Sequence, residues 1–323
     1  MAVAAFSTVV EWYDFTLYLY LVTVLSRVFF GGGAEALGFT LAGFAIAYLM
    51  RPLGAIVFGH IGDRHGRRHT MLLSMAIMST AMLATALLPT QAQVGAWAGA
   101  ALLGLRCVMA FAVGGEYTGV VAYLHEGAPP HRRGLITSSA SAASEVGALL
   151  AVGIAAITVS SMPTPDLDSR GWRIPFFVGA AMAALVWVAR ASMQESPEFE
   201  RQRAQGTVPH RPLAHSLANH RAAIGRGFAI SALGSITYYV GITYVPAFLT
   251  TAGTLPESDS LWLATIAAVV VILVTPLTGA LSDRIGRKPV LIGLAAGAAL
   301  LPLTLFHLMT GGFGAALLGA LAL

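Results

Sequence analysis

Helix-length apolar runs separated by short charged loops leave this chain few folds to choose from. Runs long enough to cross about 30 Å of hydrocarbon lie near residues 4–30, 37–58, 71–88, 94–124, 135–162, 173–191, 222–250, 260–281 and 290–309. A tenth begins near Gly314 and stops at Leu323. In hydrocarbon every backbone N–H and C=O needs an internal partner, so such runs become helices. Composition agrees. With 56% hydrophobic residues, 11% charged and a mean hydropathy of +0.74, the chain is too apolar for a soluble domain with one packed core. The expectation is an all-α membrane protein. A span cut after about ten residues cannot cross, so the second half is expected to be incomplete in span 10. The first span starts without a polar leader, and the N-terminus is expected to be trimmed; Met1 to Phe6 has no signal-peptide pattern.

One polar loop occurs twice. Gly59, Asp63, Arg64, Gly66, Arg67 and Arg68 recur, 220 residues on, as Gly279, Asp283, Arg284, Gly286, Arg287 and Lys288, each set between two apolar runs. A repeated charged hairpin means two halves built alike. Gly66 and Gly286 can take the positive φ of a tight turn, while Asp63 and Asp283 can meet the positive end of a neighbouring helix or a nearby arginine and so lock one face shut. The simpler reading, that the basic residues only fix topology, explains the charge but not the repeated Asp and Gly.

Orientation follows from the basic residues. The loops after spans 2, 4, 6 and 8 hold most of the arginines, Arg190 among them, whereas the alternate loops carry mainly acids. The positive-inside rule then puts the N-terminus and these loops in the cytoplasm, in a plasma membrane and most simply a bacterial inner membrane. The polar stretch 192–221, with Pro197, Pro209 and Pro212, reads as a linker between a first half, 1–191, and a second, 222–323. Its start, Glu195 to Arg203, fits either a surface helix or a solvated linker.

Ionisable groups inside spans cost roughly 2.5–3.5 kcal/mol each at the bilayer centre, so each needs a reason. Glu11, Asp14 and Tyr18 fall at i, i+3 and i+7, one stripe of helix 1 that must face protein or water. Asp14, then Glu11, then Glu145 are the candidate proton carriers; Glu11 could instead pair with a helix neighbour. Arg106, halfway along span 4, is too deep to reach either surface and needs an anion: a helix 1 carboxylate, Glu145, or a substrate carboxylate held by its planar fork. Glu116, with Gly114, Gly115 and Gly119 around it, reads as a structural pairing residue, as does Arg51.

The motifs in order carry a resemblance. Glu11-Trp12-Tyr13-Asp14-Phe15, Arg51-Pro52-Leu53-Gly54, the two DRxGR loops, Gly114-Gly115-Glu116-Tyr117-Thr118-Gly119 and Gly171-Trp172-Arg173-Ile174-Pro175-Phe176 together resemble the major facilitator superfamily and, within it, the metabolite:proton symporter family. Thr237-Tyr238-Tyr239 and Thr243-Tyr244-Val245-Pro246 are most similar to its proline/betaine transporter branch. The resemblance covers nearly the whole chain. It implies two six-helix halves, with spans 1 and 7 as related cavity helices, so that Trp12, Tyr13, Tyr18, Tyr238, Tyr239 and Tyr244 are candidate substrate contacts beside Arg106. Rings hold an ammonium by cation–π attraction and a guanidinium holds a carboxylate; the alternative is that many of these rings only pack between helices. The family's arginine opens an R-x-x-Q-G pattern, and here Met109 and Ala110 replace its last two residues.

The function implied is proton-coupled uptake of a small carboxylate or zwitterionic metabolite, a proline/betaine-like osmolyte or an organic acid, by a monomer in the lipid bilayer. The alternatives are a drug/proton antiporter and a non-transporting sensor. Nothing points to an enzyme, a cofactor or a nucleic-acid partner: Gly31-Gly32-Gly33 lacks the strand–helix context of a phosphate loop. One cysteine, Cys107, and histidines without i, i+4 spacing on one helix make no metal site.

Overall fold

The computed structural model describes residues 2–208, 212–251 and 257–322. Helices α1 (Ala2–Tyr20), α2 (Val22–Phe30), α3 (Gly33–Tyr48), α4 (Met50–His65), α5 (Arg67–Leu87), α6 (Gln91–Val94) and α7 (Trp97–Gly127) come first. They are followed by α8 (Arg133–Ser160), α9 (Thr164–Asp166) with a π-helical turn over Leu167–Gly171, α10 (Arg173–Ala191), α11 (Pro197–Ala204) and α12 (Pro212–Asn219). The rest is α13 (Arg221–Tyr238), a second π-helical turn at Tyr239–Thr243, α14 (Tyr244–Thr251), α15 (Glu257–Ile285), α16 (Arg287–Met309) and α17 (Phe313–Ala322). No strand occurs among the described residues.

Seven of the described helical stretches are long and apolar enough to cross a membrane, and α1 with α2 makes an eighth if the bent pair is one span. Three expected spans differ in detail. The first is bent by 68° at Leu21, although the Leu21 N–H still reaches the Leu17 carbonyl at 3.0 Å. The second runs without a break of axis from Gly33 to His65. The run 222–250 is three pieces, α13, the π turn and α14: Pro246 has no N–H to offer residue 242, and a π turn absorbs such a missing bond. Of the linker 192–221, residues 209–211 lie outside the described residues; its start forms α11, whose N-cap Ser196 accepts the Phe199 N–H.

By packing, the described residues fall into two compact units, one within residues 1–128 and 143–213 and one within 129–142 and 214–323. The core of the first is built from Tyr13, Leu17, Leu21, Met78, Trp172 and Phe176 on α1, α5 and α10 with the turn before it. Its α4 and α7 touch backbone to backbone. A Cβ at Gly54 would collide with the Phe111 carbonyl, and one at Gly114 with the Arg51 carbonyl, so small residues fix the distance at which the side chains of Arg51 and Glu116 operate. In the second unit Val245, Leu249, Leu263 and Met309 pack together beside the rings of Phe248 and Phe306.

The two repeated hairpins are built on the same turn and stapled differently. Gly66 (φ 105°) and Gly286 (φ 98°) both take the left-handed region. In the first unit Asp63 pairs with Arg67 at 2.6 Å, and the exposed start of α5 is capped by Glu195, which accepts the Arg67 N–H at 2.8 Å and the Arg68 N–H at 3.1 Å. Glu195 was not among the expected gate residues. In the second unit Asp283 itself does the capping: it accepts the N–H groups of Gly134 (2.8 Å) and Leu135 (2.9 Å) at the start of α8 and pairs with Arg287 at 2.7 Å. Gly279 is required there, since a Cβ would meet Ser138 and the Gly134 carbonyl; its counterpart Gly59 faces open space. Arg64, Arg284 and Lys288 are exposed. Asp283→Asn removes the charge at a helix N-terminus, worth about 1 kcal/mol. The expected result is faster maleimide labelling of a Ser138→Cys probe; an unchanged rate means the cap does not hold this contact.

Candidate functional site

Helix α1 presents its stripe as the spacing predicts, with Glu11, Asp14 and Tyr18 all buried. Arg106, on α7, reaches across to Asp14 through both terminal nitrogens, Nη1 to Oδ2 at 2.9 Å and Nη2 to Oδ1 at 2.8 Å. Each partner is 5% exposed. Of the three anions the sequence left open for Arg106, Asp14 holds it; Glu145 lies buried on α8. The guanidinium carbon stands 5.1 Å from the Tyr18 ring centre, and Nη2 lies 3.3 Å from the sulfur of Met109, a weak acceptor at the position of the family glutamine. The Arg106 Nε has no hydrogen-bond partner among the described residues.

A second charge cluster sits on the same unit. Glu116 is fully buried and forms an ion pair with Arg190, and its other oxygen accepts from Ser74. Arg190 also donates to Ser7 and, at 2.7 Å, to the Met71 carbonyl. Arg190 is therefore not a loop cation, as the topology reading had it: it closes the last turn of α10 and is 1% exposed. The available signal was Glu116, a buried acid in need of a base.

The third pair is loose. Arg51 stands 3.8 Å from Glu11 Oε1, beyond hydrogen-bond reach, and Glu11 Oε2 has no partner among the described residues. The Arg51 guanidinium instead lies over two rings, 4.8 Å from the centre of Phe15 and 4.9 Å from that of Tyr48. Tyr48 was not among the candidate residues, although it sits one turn from Arg51; Phe15 sits one turn from Glu11.

The expected aromatic contacts divide. Tyr18 is at the site, stacked on Phe44 with its hydroxyl donated to the Thr40 carbonyl at 3.2 Å. Tyr13 is a correction: two residues from Glu11 it points to the opposite side of α1, into the core, where its hydroxyl donates to the Pro175 carbonyl at 2.8 Å. Trp12 touches the site through its edge contact with Phe15 at 5.6 Å. Tyr238, Tyr239 and Tyr244 belong to the second unit, with Tyr239 and Tyr244 exposed there and Tyr244 packed against Phe248 and Phe306. Within the first unit, a pocket of about 30 Å³ touches Asp14, Arg106, Phe44 and Arg51, room for a water-sized group. A cleft of about 290 Å³ lies against Glu11, Tyr48, Arg51 and Tyr117. Among the described residues no cluster of three His, Cys, Asp or Glu side chains could hold a metal ion.

Apolar helices of membrane-crossing length, with charges buried in pairs between them, define a multi-pass helical membrane protein. The chain belongs to the Major Facilitator Superfamily, whose profile matches residues 4–323. It is 32% identical to the ectoine/proline transporter ProP of Corynebacterium glutamicum over 95% of this chain and 64% of that protein. To a citrate-proton symporter of Salmonella typhi it is 35% identical, over 88% of this chain and 65% of the relative. The chain thus spans a little under two thirds of the length of these relatives. Among solved structures, the proton:xylose symporter XylE bound to 6-bromo-6-deoxy-D-glucose matches 99% of this chain and 78% of its own, with a TM-score of 0.76 and 23% identity, a likeness of fold.

Proposed function

We propose that the protein is a proton-coupled symporter for a small carboxylate or zwitterionic solute, working by alternating access between a half at 1–191 and a half at 222–323 joined by the linker 192–221. Its N-terminus and hairpin loops face the cytoplasm. The bidentate Arg106–Asp14 pair carries this reading. One guanidinium fork serves one carboxylate bidentately. A solute carboxylate that takes Arg106 leaves Asp14 as an uncompensated charge in an apolar interior, where the neutral, protonated side chain costs less than the charged one. Solute and proton therefore load together and leave together. Glu11 and Glu145 are the next carboxylates in line, and the tyrosines of the second unit are candidate contacts from the other half.

Ectoine, proline and citrate, the solutes named for two of the relatives, all carry a carboxylate, the group an arginine fork binds. Vesicles reconstituted with the protein are expected to concentrate such a solute when the inside is alkaline, and the accumulation collapses when the pH gradient is dissipated. Uptake that survives the collapse overturns proton coupling. Efflux of preloaded lipophilic cations in exchange for protons overturns uptake in favour of antiport.

A further inference from the structure

Two cavities of the first unit meet at one cation. The pocket of about 30 Å³ touches Asp14 and Arg106, the cleft of about 290 Å³ touches Glu11, and Tyr48, Arg51 and Val113 line both. Arg51 is the one charged side chain in that shared wall. Its guanidinium carbon lies 4.8 Å from the Phe15 ring centre and 4.9 Å from that of Tyr48, so it rests on rings, with Glu11 Oε1 3.8 Å away. Glu11 is 3% exposed, and its Oε2 has no partner among the described residues. The other charges that act on Glu11, those of Glu116 and Arg190, are joined in their own ion pair. A buried carboxylate whose cation stands beyond hydrogen-bond reach costs more as a charge than as the neutral acid. The Glu11 carboxyl is thus suited to hold a proton, beside a cleft with room for several waters.

On the symporter reading above, on which this rests, Asp14 sheds its proton when the solute leaves and Arg106 returns. We propose that this proton goes to Glu11, and that Arg51 is the barrier that stops protons crossing between the two cavities without solute. The Asp14 carboxyl gives its proton to a water in the small pocket and becomes the carboxylate that the Arg106 fork takes back. That water passes a proton on to the Glu11 carboxylate, which releases it to water in the cleft. Glu11 lies one turn nearer the start of α1, the cytoplasmic end on the same reading. A fixed arginine charge in a narrow path repels protons. Ring faces suit that task, because they hold a guanidinium without cancelling its charge, whereas a bidentate carboxylate neutralises it. The return of Arg106 to Asp14 places a second cation behind the departing proton and drives it past Arg51.

The test needs no solute. Purified protein in liposomes that hold a pH-sensitive dye, with the membrane potential clamped by potassium and valinomycin, is given an external acid jump. The wild type is expected to admit protons no faster than protein-free liposomes. Arg51→Gln is expected to admit them on the order of tenfold faster, and Arg51→Lys, which keeps the cation, at the wild-type rate. Adding Glu11→Gln to Arg51→Gln removes the next proton acceptor and returns the rate to that of the wild type, which it would not do for a leak through a loosened fold. An Arg51→Gln protein as tight as the wild type overturns the barrier, and a leak that survives Glu11→Gln overturns the exit through Glu11. Both results leave the symporter reading standing. That reading has its own arm in the same liposomes: a wild type that shows no acidification on addition of proline, ectoine or citrate removes it, and the role of Glu11 and Arg51 with it.

Discussion

Asp14→Asn is expected to abolish accumulation of solute against its gradient while solute exchange between loaded and unloaded compartments remains measurable. The asparagine keeps the shape of Asp14 and can still accept one hydrogen bond from Arg106, so the site survives. What it cannot do is exchange a proton. A gradient of one pH unit stores 1.36 kcal/mol per proton and supports about tenfold accumulation; the variant should stop at equal concentrations inside and out, and its exchange rate should lose its dependence on pH. Arg106→Lys is the contrasting change. It keeps the charge but gives up the two-pronged geometry seen at 2.9 and 2.8 Å, so binding itself should weaken, on the order of tenfold or more. An Asp14→Asn protein that still concentrates solute with normal pH dependence shows that Asp14 is a positioning residue and moves the proton to Glu11 or Glu145.

The second large effect is on stability. Arg190→Met leaves Glu116 a buried charge without its base, with Ser74 as a remaining donor. Breaking a buried pair from one side costs about 3–5 kcal/mol, whereas replacing both partners by uncharged groups is often close to neutral. Arg190→Met and Glu116→Gln should each lower the unfolding midpoint in detergent, and the double substitution should recover most of the loss. Recovery matters more than either single result. If the double variant is as unstable as the worse single one, the cluster is holding α1, α5, α7 and α10 by hydrogen bonds to Ser7, Ser74 and Met71 and not by neutralised charge.

The spans, the doubled hairpin and the stripe of α1 were legible in the sequence because each is a local pattern: hydropathy over a helix length, a motif and its repeat, a helical period. Which groups meet was less legible. Arg190 and Glu116 lie in different helices, and counting basic residues toward a topology gives no weight to a cation that an acid has already neutralised. Tyr13 failed for a related reason: position near a functional stripe says nothing about a residue on the far side of the same helix, where α10 was waiting to pack it. The Tyr48 ring under Arg51 was missed because an Arg in the same span as a Tyr three residues earlier is ordinary spacing for two side chains that merely share a face. Asp283 and Asp63 share the D-R-x-G-R pattern yet take different partners, which the motif alone does not encode: Asp283 accepts N–H groups at the start of α8, whereas Asp63 pairs with Arg67 and leaves the start of α5 to Glu195.

The bend at Leu21 turns the start of the chain into a lever. Beyond it α2 is a stiff rod of nine residues, ~13 Å long at about 1.5 Å per residue, so a rotation of about ten degrees at the bend carries Phe30 some ~2 Å sideways. Two ties oppose that swing: the fork of Arg27 on Asp168, with both bonds at 2.8 Å, and the edge of Trp172 against Phe29 at 5.0 Å. The pivot lies three residues past Tyr18, whose ring stands over the Arg106 guanidinium. Motion at the rim of this unit and the seating of its central arginine therefore share one joint, with the Tyr18 ring as the link between them.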